Sequence, residues 1–140
     1  RTIMTKYLNS KEYDILCTVF HSEEPMNVSQ ILKVHPTLTS NIVQPVIRKL
    51  LKLKLIEVAD ITVEGNIFSR RFKATASAPD IIRKMFVDDY LHFSKLVSGQ
   101  TLLSAMVEAD NDPEHALAEI DELETLLQEY KEKNHGAKGK

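Results

Sequence analysis

Tyr13, Leu16, Cys17 and Phe20 recur at i, i+3, i+4 and i+7, a helical period that predicts a first helix from about Ser10 to His21 with that stripe buried. Asn9 with Glu12 three residues later forms a capping-box pattern, and Leu8 and Tyr13 are spaced as a hydrophobic staple. "SEEPMN" then reads as a loop. Asn27 and Gln30 repeat the capping pattern ahead of "VSQILKV", a short second helix that must stop before Pro36, because a residue preceding proline is pushed out of helical geometry. Thr39 or Ser40 can cap a third helix to about Leu55, with Val43, Val46, Ile47 and Leu50 on its inner side.

From Ile56 the pattern changes to β-formers. "IEVADITV" and "IFSRRFKAT" flank "EGN", where Gly65 and Asn66 tolerate positive φ, so a hairpin is predicted with Arg70 and Arg71 close to its bend. A two-stranded ribbon is marginal alone in water and should lie against the helices. After "KATASAPD" a long helix follows, with Ile81, Ile82, Met85, Phe86, Tyr90, Phe93, Leu96 and Val97 tracing an apolar stripe that Gly99 breaks. "TLLSAMVEA" is a short helix. Asp112 and Pro113 then open a last helix to about Lys133, whose Ala116, Ile120, Leu123, Leu127 and Tyr130 form a seam of near coiled-coil spacing. The expected organisation is a unit over 6–75, a helical unit over 78–133 and a disordered tail over 134–140. The fold class is mainly α with one small β-hairpin.

Charge sharpens this division. The chain of 140 residues has a net charge of -2, but residues 1–75 hold 11 Lys and Arg against 7 Asp and Glu, and residues 76–140 hold 7 against 13. A polyanion suits the first half alone, since cations near phosphates release condensed counterions. Cys17 is the one cysteine, so no internal disulfide forms, and its apolar setting "YDILCTVF" predicts a buried thiol and a reducing, cytoplasmic location. No run of about 18 apolar residues is present to span a membrane, so no membrane partner is expected.

Helical steps of 100° place Asn41, Gln44, Arg48 and Lys52 opposite the inner side of the third helix. Arg pairs with guanine O6 and N7, Asn and Gln with adenine N6 and N7, and Lys with phosphate, so this side carries what a major-groove helix uses. Thr39 and Ser40 suit flanking phosphates, and Arg70, Arg71 and Lys73 give the hairpin reach to backbone or minor groove. Three helices followed by a hairpin, with cations gathered on the third helix and the hairpin, is a winged helix-turn-helix. The same fold also serves protein docking, which stays as the alternative. Asp88, Asp89 and His92 share a helical face, but a closed metal site needs about four ligands, so a metal-responsive regulator is the weaker reading and no metal or cofactor is expected. No nucleophile elbow, phosphate-binding glycine loop or zinc-protease motif occurs, which argues against an enzyme.

"YLNSKEYDIL", "VSQIL", "VIRKLLKLKLI" and "EIDELETLLQEYKEK" resemble successive blocks of the BlaI/MecI/CopY family, bacterial repressors of penicillinase, methicillin-resistance and copper-transport genes. The resemblance implies a winged helix on a palindromic double-stranded operator and C-terminal helices that form a homodimer. By position it puts Thr39, Ser40, Asn41, Gln44 and Arg48 on the recognition helix and Arg70 and Arg71 on the wing. The two apolar stripes themselves read either as core of one subunit or as a dimer seam, and because they exceed what a winged domain can cover, a symmetric homodimer is expected through Ile82, Phe86, Tyr90, Phe93, Ile120, Leu123, Leu127 and Tyr130. A regulatory protease or another inducer is the implied signal. The chain departs from the family at four places. Pro45 requires a helix that begins late or kinks, and Lys54 replaces a usual glycine before the wing. Ala105-Met106 stands where penicillinase-type members carry an Asn-Phe cleavage pair. The paired cysteines of copper-responsive members are missing.

Overall fold

The computed structural model describes residues 8–138, so residues 6 and 7 of the expected first unit and 139 and 140 of the expected tail lie outside it. The order is α1 (Ser10–Phe20), α2 (Val28–Val34), α3 (Ser40–Lys52), β1 (Ile56–Glu64), β2 (Ile67–Ala74), α4 (Ala78–Phe93), α5 (Gly99–Glu108) and α6 (Pro113–Lys138). Three helices followed by an antiparallel hairpin make a winged helix. Two compact units divide between Leu91 and His92.

Both capping boxes form. Asn9 accepts from the Glu12 amide at 2.9 Å while Glu12 takes the Asn9 amide at 2.8 Å, and Asn27 and Gln30 repeat the exchange at 2.8 Å each way. These contacts satisfy amides that the first turn leaves without intrahelical partners. The core draws Ile15, Leu16 and Val19 from α1, Ile31 from α2, Val43, Val46, Ile47 and Leu50 from α3, and Leu55, Ile56 and Phe72 from the base of the hairpin. Each fully buried side chain of this size contributes about 1.5–3 kcal/mol. Ala78 and Met85 of α4 join the same core, so the first unit extends to Leu91 rather than ending at Thr75.

The buried side of α1 is turned from the expected stripe. Ile15, Leu16 and Val19 face inward, whereas Tyr13 is 44% exposed and Cys17 is exposed. Both stripes share Leu16, and packing chooses the one that also turns Glu12 toward Lys49 of α3, 2.9 Å away. Cys17 is therefore no core thiol. It lines an open cleft of about 550 Å³ with His21, Met26 and His35, where Thr18 Oγ1 lies 2.6 Å from His35 Nε2 and ties α1 to the end of α2.

α3 begins at Ser40 and runs through Pro45 without a late start. Pro45 removes the amide that would bond the Asn41 carbonyl, and both residues stand on the exposed side of the helix rather than in the core. The helix ends at Lys52, short of Leu55. The Leu55 amide bonds the Leu50 carbonyl and the Lys54 amide bonds the Leu51 carbonyl, each at 3.0 Å, a Schellman closure with Lys54 left-handed at φ 64. Thr75 braces this corner, donating its hydroxyl to the Lys54 carbonyl at 2.7 Å.

The hairpin pairs Glu64 with Ile67 across Gly65 (φ 62) and Asn66, with a register shift between Val58 and Asp60. The loop before α2 is not free, because Met26 and Phe72 exchange backbone bonds of 3.0 and 2.7 Å. In the second unit, Ser98 caps α5 by accepting the Thr101 amide, so Gly99 opens a helix rather than merely ending one, and α4 stops at Phe93 before Leu96 and Val97. α6 continues to Lys138, past the expected end at Lys133, so residues 134–138 are helical rather than a loose tail. At the α5–α6 corner His115 Nδ1 contacts Asp110 and Nε2 lies 3.8 Å from Glu119.

Two outcomes follow from these corners. Lys54→Gly removes the cost of a left-handed L-residue and should raise unfolding stability by about 1 kcal/mol in a denaturant titration. The hydrogen bond that His115 donates to Asp110, followed by the charge of that carboxylate, holds the His115 pKa above the usual 6.5. The stability from this pair is present below 6.5 and lost as pH rises through the raised value. His115→Gln should abolish that part of the pH dependence in thermal melts.

Candidate nucleic-acid interface

Packing decides which side of α3 is available. Val43, Ile47 and Leu50 are fully buried and Val46 is 7% exposed, so the residues at opposite angles must face out. Asn41, Arg48 and Lys52 are exposed and Gln44 is half-buried. None of the four side chains has a hydrogen-bond or ion-pair partner among the described residues. Lys49, one position from Arg48, is committed to Glu12. Thr39 holds the N-cap backbone geometry but makes no side-chain cap, unlike Asn9 and Asn27, so its hydroxyl and the exposed Ser40 hydroxyl stand at an uncapped helix start. Such a start is electropositive and presents free amides.

A groove of about 350 Å³ runs between this helix and the wing. Ser29, Ser40, Gln44, Ser69 and Arg70 give it a polar lining, with Phe68 at the wing end. Arg70 reaches it with its guanidinium 5.3 Å from the ring centre of Phe72, a buried residue two positions along the strand on the same face. Stacking on a fixed ring orients the guanidinium without consuming its charge. Ser40, Gln44 and Arg70 are thus brought together.

Arg71 points to the other face of the hairpin. It donates from Nε to Asp60 Oδ1 at 2.7 Å and from Nη2 to Asp60 Oδ2 at 2.5 Å, a bidentate pair between cross-strand neighbours. The hydrogen bond from Arg71 holds the Asp60 carboxyl below its ordinary range, and the same bond raises Arg71. Lys73 lies 3.9 Å from Glu57 on that face. Of the wing's three cations, Arg70 alone has no carboxylate partner among the described residues. Neither arginine is close to the bend, since Arg70 pairs with Ile61, four rungs from the turn when Glu64–Ile67 is the first.

The wing tip is apolar instead: Ile61, Val63, Ile67 and Phe68 are 57–74% exposed. Both features could be counted from the sequence. A two-residue turn at Gly65-Asn66 pairs Glu64 with Ile67 and hence Asp60 with Arg71, and "ITVEGNIF" surrounds the turn with apolar residues on both strands.

The residues expected on the dimer seam take different places. Ile82 is half-buried against the first unit's core. Phe86 (55%), Tyr90 (39%) and Phe93 (41%) are exposed on α4, with the Phe86 and Tyr90 rings 6.4 Å apart and near parallel. On α6, Ile120 and Leu123 are half-buried, and Leu127 (52%) and Tyr130 (67%) are exposed. Asp88, Asp89 and His92 lie on α4, and among the described residues no group of three or more His, Cys, Asp or Glu is placed to hold a metal ion. No helix among them is long and apolar enough to cross a membrane.

Asp60→Asn releases Arg71 and removes a negative charge. Duplex affinity should rise, and the plot of log K against log salt should steepen by about one unit, followed by fluorescence anisotropy. An unchanged slope would place that face of the wing away from phosphate.

No family model and no curated protein matches the chain. Among solved structures it is similar to a crystal structure of a mutant of MepR from a multidrug resistant S. aureus clinical isolate. The two share 17% sequence identity over 91% of this chain and 83% of that one, at a TM-score of 0.46. A likeness of that degree establishes neither family nor function.

Proposed function

We propose that the chain is a DNA-binding transcriptional repressor of the BlaI/MecI/CopY kind, gripping a palindromic operator as a homodimer. One observation carries the reading: Asn41, Arg48 and Lys52 stand exposed, their side chains without a partner among the described residues, on a helix whose opposite side is spent in the core. A cation kept for stability finds a carboxylate, as Lys49 does with Glu12. Asn41 to Lys52 spans about 16 Å of helix, a length suited to a major groove about 12 Å wide. In this reading Arg48 pairs with guanine, Asn41 and Gln44 with adenine, and Lys52 meets phosphate. Thr39, Ser40 and Arg70 flank them for the backbone.

Two copies joined through the exposed apolar residues of α4 and α6 present two such helices to two half-sites, spaced by about 34 Å or a multiple of it. Occupancy of the operator blocks transcription. Each half-site alone binds weakly, so a signal that loosens the dimer or removes its C-terminal helices releases DNA through lost avidity. The apolar wing tip favours a second reading, in which the wing docks a protein.

Arg48→Ala should weaken binding to the preferred duplex by about 1–3 kcal/mol and blur base preference, whereas Lys52→Ala should weaken all duplexes alike. Equal affinity and preference in the Arg48 variant would remove α3 from base reading. Wild-type binding that ignores added salt would favour the protein-docking alternative.

A further inference from the structure

The cations of α6 are confined to its second half, whereas its acids run along its length as far as Glu129 and Glu132. From Pro113 to Glu124 it carries Glu114, Glu119, Asp121, Glu122 and Glu124 with no Lys or Arg, and up to His135 its only cations are Lys131 and Lys133. The seam Ile120, Leu123, Leu127 and Tyr130 repeats at three and four residues, so Glu124 and Lys131 border one edge and Glu119 and Lys133 the other.

α5 covers part of this helix only. Ten residues make about 15 Å against about 39 Å for the twenty-six of α6. The cleft between them is lined by Met106 and Val107 from α5 and by Ala116, Glu119 and Leu123 from the first half of α6. Beyond it Leu127 and Tyr130 remain exposed, and neither Glu124 nor Lys131 has an ion-pair partner among the described residues.

The geometry points to a second copy of this chain seated antiparallel on α6, an arrangement that rests on the homodimer reading above. In a parallel pair opposite edges meet, and Glu119 faces Glu124 of the partner subunit. In an antiparallel pair each edge meets its own reverse, so Glu124 faces Lys131 of the partner subunit and Lys131 faces Glu124 of the partner subunit. The other edge brings Glu119 to Lys133 of the partner subunit, although His115 also draws on Glu119 from 3.8 Å. Flanking charges of this kind set helix orientation, because like charges across the seam repel. The two-fold axis falls beside Leu127, which places the exposed leucines at its centre and covers what α5 leaves open.

The test uses the full chain with Cys17→Ser, so that introduced cysteines are the only thiols. After sedimentation establishes a dimer, Glu124→Cys and Lys131→Cys variants are oxidised separately and mixed. Antiparallel seating predicts a disulfide in the mixture and none in either variant alone, since residue 124 stands about 10 Å along the axis from its own copy, beyond disulfide reach. Glu124→Lys should weaken dimerisation by about tenfold, and adding Lys131→Glu should restore it. A tighter dimer with Glu124→Lys would show parallel seating, and self-linking of either single variant would show a different register; either result would overturn the proposal. A dimer with no cross-link in any mixture would move the seam off α6 and overturn it too. A chain that stays monomeric would remove the homodimer reading on which it stands.

Discussion

The inner side of α3 is the constraint on which the rest of the first unit depends. Val43, Val46, Ile47 and Leu50 are withdrawn from water among α1, α2 and the base of the hairpin, and no rotation of the helix can bury both its sides. Burying that stripe costs nothing in polar desolvation, because each side chain on it is aliphatic. Turning Arg48 or Lys52 inward would require charge in a core that, among the described residues, holds no buried polar side chain. The outward set follows from the inward one. Even Pro45 obeys it, standing with Asn41 on the exposed side of the helix.

The end of α3 then positions the wing. A left-handed Lys54 reverses the chain within two residues, and Leu55 and Ile56 are buried at once, so the hairpin starts from a fixed point. Its register is pinned a second time by the backbone exchange between Met26 and Phe72. One face of the ribbon therefore carries Phe72 into the core and Arg70 toward α3, and the other carries Arg71 and Lys73 away with their own carboxylates. A wing with three cations and three acids is thus electrostatically one-sided, with its free charge beside the polar side of α3.

Local chemistry was legible in the sequence and tertiary choice was not. Asn9–Glu12 and Asn27–Gln30 announce their capping boxes because every atom of the motif lies within four residues. The inner side of α3 could be read because only one apolar stripe exists there. α1 has two that share Leu16, and the partner helix selects between them, which is why Cys17 and Tyr13 face out. Met26 pairs with a residue 46 positions away, which no local pattern encodes. At the site, Asn41, Gln44, Arg48 and Lys52 follow from helical spacing, whereas the separate fates of Arg70 and Arg71 follow only when the register is counted back from the Gly65-Asn66 turn.

The second unit carries exposed apolar side chains, Leu126, Leu127 and Tyr130 among them, and the acidic excess of the chain lies in residues 76–140. The central claim is narrower, that the outward side of α3 meets DNA. Amide chemical-shift mapping on the labelled protein, titrated with duplex DNA at low salt, tests it most directly. The account predicts that shifts concentrate on Ser40, Asn41, Gln44, Arg48 and Lys52, with Arg70 on the wing, and fade as salt is added. Shifts confined to Ile67 and Phe68 at the wing tip, or to α6, with α3 unmoved, would contradict it.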